Sequence, residues 1–133
     1  MEDEQAGSEE ASQLEARNRR AVLRARRAML SLIPFLTERD VPSAARADPS
    51  AVFSVRYADD QLFPAFQFAD DGHPYPELKV ILQRLPDRQG WDRLQWFLSP
   101  HESLAGAPPV EVWHQDRRRV VEASRSEHWE ERL

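Results

Sequence analysis

A mainly α protein is what this sequence predicts: a small helical domain with a short β-hairpin, preceded by a long amphipathic N-terminal helix. Three observations carry that expectation. Residues 13–33 contain neither proline nor glycine and are dominated by alanine, leucine and arginine, all good helix formers. Two β-prone runs near the middle of the chain flank a polar Asp-Asp step. Beyond Gly72, apolar residues recur at three- and four-residue intervals between prolines.

In chain order, residues 1–12 hold five acids (Glu2, Asp3, Glu4, Glu9, Glu10) and almost nothing to bury, which predicts a disordered acidic tail. A helical region over 13–51 follows. Its first helix carries Val22, Ala25, Met29 and Leu32 at helical spacing and stops at Pro34. Thr37 can cap a short helix, while Pro42 and Pro49 leave residues 43–48 room for little more than one turn. The runs 52–57 and 62–63, around Ala58-Asp59-Asp60-Gln61, predict the hairpin, without the glycine that would strengthen its turn.

Asp70-Asp71-Gly72 reads as a turn. Pro76 suits a first helical position, and Leu78, Ile81, Leu82 and Leu85 share one face up to Pro86. A second helix holds Trp91, Leu94, Phe97 and Leu98 and stops at Ser99-Pro100. The stretch 104–109 reads as a rigid connection. A short helix then begins at Val110, and another runs from Arg117 to about 127. Hairpin and helices make one domain over 52–127, with 128–133 as a tail.

Net charge is −5, but charges of opposite sign are segregated. Arg17, Arg19, Arg20, Arg24, Arg26 and Arg27 form a basic run. Arg17, Arg20, Arg24 and Arg27 are candidates to grip phosphates or an acidic partner; the alternative is a solvated helix face. The absence of cysteine excludes disulfides, thiolate metal sites and a thiol nucleophile. His73, His101, His114 and His128 are too scattered for a zinc pair, and Asp59-Asp60 and Asp70-Asp71 read as turn chemistry. Four glycines cannot build a phosphate-cradling loop, and no serine stands in a nucleophile elbow. The expectation is therefore a non-enzyme without cofactor or metal. The acidic start and the lack of a long apolar run predict a soluble, cytoplasmic protein.

Phe63, Phe66, Phe68, Trp91, Trp96, Phe97 and Trp113 are concentrated within residues 63–113. Most are expected in the core, with Trp91, Trp96 or Trp113 the candidates for an interface anchor.

Specific strings then add to this reading. Phe63-Pro64-Ala65-Phe66-Gln67-Phe68, followed by Gly72 and a leucine-rich helix, resembles the hallmark of Xre/MbcA/ParS-type antitoxins. Downstream, Trp91, then Trp96-Phe97-Leu98-Ser99-Pro100, then Leu104-Ala105-Gly106-Ala107-Pro108-Pro109-Val110-Glu111 resemble that family's toxin-binding domain, with Val120 and Ala123 matching its closing small apolar positions. The resemblance spans about 52–124. It implies an antitoxin of a type II toxin–antitoxin pair that covers the active-site entrance of a NAD-consuming RES-domain toxin, often as an oligomer. It also implies toxin contact by Leu104, Gly106, Pro109 and the helix carrying Trp113, where the family more often has leucine, with Arg117 and Arg118 as additions. The family's helix-turn-helix has no room in 36–62, so specific operator binding is expected to be weakened or lost. The alternative function is a DNA-binding regulator that uses the arginine-rich helix.

Overall fold

A computed structural model describes residues 2–85 and 90–125, with side chains from Gly7 onward. The chain divides into two compact units, Met1–Leu32 and Ile33–Leu133. The class is as expected: mainly α, with six helices and a small antiparallel sheet among the described residues.

The first unit is one helix, α1 (Glu2–Leu30). It departs from the predicted organisation, because the acidic stretch expected as a disordered tail is helical. Acids near a helix N-terminus meet the positive end of the backbone dipole, and Gly7 is the only breaker before residue 30. At the other end, the Ser31 amide and hydroxyl both donate to the Ala28 carbonyl, at 3.1 and 2.7 Å. Leu32, the last member of the predicted stripe, lies beyond the helix. Leu14 and Val22 are 57% and 48% exposed.

The second unit starts earlier than the predicted boundary at residue 52. Strand β1 (Phe35–Leu36), a one-turn helix α2 (Ser43–Arg46), β2 (Val55–Tyr57) and β3 (Asp60–Pro64) follow in order, and the sheet runs β1-β3-β2. Phe35 pairs with Pro64 and Leu36 with Phe63, while Val55, Arg56 and Tyr57 pair with Leu62, Gln61 and Asp60. The hairpin therefore closes over two residues, Ala58 and Asp59, with Ala58 at φ 54° in the place a glycine would favour. Val41, Ala45, Val52 and Phe63 form a small core, with Leu36 and Phe68 packed on it. That core makes residues 33–51 part of the hairpin's unit. Thr37 precedes a 3-10 turn (Glu38–Asp40), but its hydroxyl bonds the Asp40 carboxylate at 3.1 Å and caps no backbone amide.

The remaining helices are α3 (Pro76–Arg84), α4 (Trp91–Leu98), α5 (Pro109–Trp113) and α6 (Arg117–Arg125). Pro76 occupies the first turn of α3, as its fixed φ favours. Leu78, Ile81, Leu82 and Leu85 are all buried. Helix α3 packs on α6, α4 on α5, and α5 on α6. Arginines close two helix ends. Arg93 donates to the Leu82 and Leu85 carbonyls at 2.9 and 3.3 Å, and Arg84 donates to Val121 O and Ser124 Oγ at 3.1 and 3.0 Å. Gly90, at φ 80°, lies so close to Ser54 that an added Cβ would stand 1.9 Å from its carbonyl oxygen. The predicted stop at Pro86, the end of the last helix near 127 and the tail 128–133 lie outside the described residues. Among the described residues, no helix is long and apolar enough to cross a membrane.

Candidate partner-binding surface

The string 63–68 holds the second unit together. Ala65 donates its amide to the Pro34 carbonyl at 3.0 Å. Phe66 lies among Phe53, Phe97 and Trp113, with centroids 6.2, 4.8 and 6.1 Å away. Gln67 is fully buried. Its Oε1 accepts the Phe53 amide at 2.7 Å, and its Nε2 donates to the carbonyls of Phe53 and Pro64 at 2.9 and 3.1 Å. One side-chain amide thus does for Phe53, which lies outside any strand, what a neighbouring strand would do. The Gln67 carbonyl in turn accepts the Tyr75 amide at 2.9 Å and positions the start of α3.

Trp113 completes this core. It is fully buried, and its Nε1 donates to the Phe66 carbonyl at 2.9 Å. Its ring meets Phe97 and Tyr75 edge-on, at 5.9 Å from each. The candidate interface anchors Trp91, Trp96 and Trp113 are all buried, at 6, 1 and 0% exposure. In this chain their surface is spent on the fold. Trp96 stacks at a tilt on His101, 5.0 Å away, and the His101 Nε2 lies 3.1 Å from the Trp96 carbonyl.

The connection 104–109 has buried ends and an open middle. Leu104 ends a 3-10 turn (Glu102–Leu104) that packs on α6, and Pro109 opens α5; both are buried. Between them, Ala105 and Gly106 sit at φ 56° and 84°, and both are exposed. No heavy atom lies within 4 Å of a Cβ built on Gly106. Internal hydrogen bonds hold the loop: Gly106 donates to the His101 carbonyl at 2.9 Å, and Ala107 to Leu104 O at 3.1 Å.

The arginines after α5 divide in role. Arg117 lies with its guanidinium carbon 4.1 Å from the Tyr75 ring centroid and its Nε 3.6 Å from Glu77 Oε2, linking α6 to α3. Arg118 and Arg119 are exposed. Of the six predicted contact residues, Gly106 and Arg118 are open to a partner, Arg117 is half-buried, and Leu104, Pro109 and Trp113 are anchors. Tyr75, which receives Arg117, and Gln67 carry roles that no spacing in the sequence pointed to.

On α1, Arg17, Arg20, Arg24 and Arg27 are exposed. At 3.6 residues per turn they fall within an arc of roughly 80°. A cleft of about 260 Å³ lies between the hairpin and the start of α4, lined by Phe53, Ser54, Gly90 and Arg93 among others. Among the described residues, no group of three or more histidine, aspartate or glutamate side chains is placed to hold a metal ion. Asp48 has a clear pKa shift. The Ser50 hydroxyl, and after it the Ser50 amide, hold its carboxyl below the ordinary value of 3.8. Comparison of the chain with family models, curated proteins and solved structures found no match.

Proposed function

We propose that the second unit is a protein-binding module, and that it acts as the antitoxin of a type II pair by covering the active-site entrance of a RES-type, NAD-consuming toxin. The observation that carries this reading is the connection 104–109. Its exposed tip at Ala105 and Gly106 is held between the buried anchors Leu104 and Pro109. A loop already fixed by its own hydrogen bonds loses little conformational freedom on docking. The turn that carries Leu104 packs on α6, whose Arg118 and Arg119 are exposed and can meet acidic groups of a partner. In this reading the chain performs no reaction, needs no cofactor, and works in the cytoplasm.

The test is co-purification of the full chain with the product of the adjacent gene, at moderate and then high salt, with NAD loss by the partner as readout. The expected result is a salt-resistant complex that suppresses NAD loss, weakened by Arg118→Glu, whose free form keeps its thermal stability, and by Gly106→Glu beyond the effect of Gly106→Ala, which carries the same backbone strain. A complex indifferent to both glutamate substitutions, or no complex at either salt, overturns the assignment. Leu104, Pro109 and Trp113 are unsuitable positions for this test, because their substitution disturbs the core.

A second reading rests on a separate observation, the exposed arc of Arg17, Arg20, Arg24 and Arg27. It is suited to phosphates and makes the protein a DNA-binding regulator. Helix α2 has four residues, too few to lie in a major groove as a recognition helix. Binding through α1 would therefore be backbone-directed and fall steeply with salt, whereas a promoter-specific complex resistant to salt would contradict it.

A further inference from the structure

Helix α1 is divided by charge with no overlap. Residues 2–15 contain six acids and no basic residue, and residues 16–30 contain six arginines and no acid. The helix dipole rewards such a division only in the first and last turns. It leaves unexplained the acids at Glu9, Glu10 and Glu15 and the arginines at Arg17, Arg19 and Arg24, which occupy the middle turns.

A second feature lies on the same helix. Ala11, Leu14, Asn18, Ala21, Val22, Ala25 and Met29 fall on one side of it at 3.6 residues per turn. Leu14 and Val22 on this side are about half exposed. A single helix with an apolar stripe has nothing within its own unit to bury it against. The alanines make the stripe narrow and allow a second helix to approach to about 8 Å between axes, the short end of the normal range. At that distance the residues bordering the stripe face the partner. On the N-terminal half these include Glu10 and Glu15, and on the C-terminal half Arg17 and Arg26, with Arg19 and Arg24 about 20° further round.

We infer that the occupant of this stripe is α1 of a second copy, running antiparallel. In that arrangement, with the pair centred near Asn18, residues 9–15 of each helix lie opposite residues 21–27 of the other, so Glu9 and Glu10 meet the turns that carry Arg24, Arg26 and Arg27, while Arg17, Arg19 and Arg20 meet their counterparts at the crossing. A parallel pair would instead set arginine against arginine and acid against acid within a Debye length of each other. The most outward arginines, Arg20 and Arg27, stay on the far side and remain open to phosphates. The inference is independent of the antitoxin reading, which concerns the second unit.

The chain has no cysteine, so single cysteines report direction cleanly. Ala11→Cys and Ala25→Cys are both exposed stripe positions, about 21 Å apart along the helix. In an antiparallel pair centred near Asn18, each faces the other. Full-length variants are mixed under oxidising conditions, alongside each variant alone, and the unmodified chain is followed by sedimentation at low and high salt. The expected result is a disulfide dimer that forms efficiently only in the mixture, from a chain that dimerises more weakly as salt rises. Joint Glu10→Lys and Glu15→Lys substitution weakens dimerisation by roughly tenfold, from a few exposed ion pairs. Efficient cross-linking of either variant to itself means a parallel pair and overturns the inference. So does a chain that stays monomeric at every salt, or dimerisation unaffected by the lysine substitutions.

Discussion

Replacing Gln67 by methionine tests whether one amide holds the hairpin to the helices. Methionine has a similar length, so packing around position 67 is largely kept and the change is one of polarity. The Phe53 amide loses its partner at 2.7 Å, and the carbonyls of Phe53 and Pro64 lose donors at 2.9 and 3.1 Å. A buried polar group left without a partner costs about 1–3 kcal/mol. The amide stands at the upper part of that range, and carbonyls are somewhat more tolerant. The expected loss is therefore about 3–5 kcal/mol, a large share of the 5–15 kcal/mol, roughly, that holds an ordinary domain together. Urea unfolding followed by tryptophan fluorescence measures it, because Trp96 and Trp113 lie in the same core.

Gln67→Glu sharpens the test through pH. Ionised, the side chain still accepts the Phe53 amide but presents negative charge to two carbonyls that need a donor. Burial and those carbonyls raise its pKa above the usual value of about 4.3. With the folded pKa raised, the stability of this variant is greatest below about pH 4.3 and is lost as pH rises toward the folded pKa. A methionine variant within about 0.5 kcal/mol of the parent, or a glutamate variant that gains on the parent as pH rises from 4 to 7, would refute the reasoning.

Gly90→Ala forces a Cβ to 1.9 Å from the Ser54 carbonyl at φ 80°, and should cost well over about 2 kcal/mol. Gly106→Ala meets open space at a similar φ, so only the left-handed penalty of about 1 kcal/mol applies; denaturant titration of the two separates steric from conformational cost. Trp113→Leu removes a fully buried ring and leaves the Phe66 carbonyl without its donor, with an expected loss of about 3–5 kcal/mol in the same assay. For Asp48, an NMR carboxyl titration should place the midpoint below 3.8, and Ser50→Ala should raise it. Because the folded pKa is depressed, the associated stabilisation is present above pH 3.8 and lost as pH falls through the folded pKa.

The helical part of the fold was legible because α3 and α4 alternate buried leucines and aromatics with charged residues between proline breakers. Strand β1 was not, since Phe35 and Leu36 are too few to show a period of two and acquire their role only from pairing with β3. The start of α1 was misread because a run of acids without apolar residues has the composition of disorder, while their place at a helix N-terminus favours order. In the candidate surface, a recurring leucine, proline or tryptophan has the same appearance in sequence whether it touches a partner or supports the loop that does. Leu104, Pro109 and Trp113 proved to be supports, and only neighbours distant in sequence, such as Phe66 for Trp113, make that visible.

The way the short helices end has a consequence for how the chain melts. Helices α3, α4 and α5 contain nine, eight and five residues, below the 12–15, roughly, at which an isolated helix becomes marginal. The carbonyls near the end of α3 are held by Arg93 of α4, and one on α6 by Arg84 of α3. None of these helices persists once its neighbours leave, so this unit unfolds in one step seen equally by circular dichroism and fluorescence. Helix α1 has 29 residues and no tryptophan. Its melting registers in circular dichroism and not in fluorescence, with a midpoint that moves with protein concentration when copies pair.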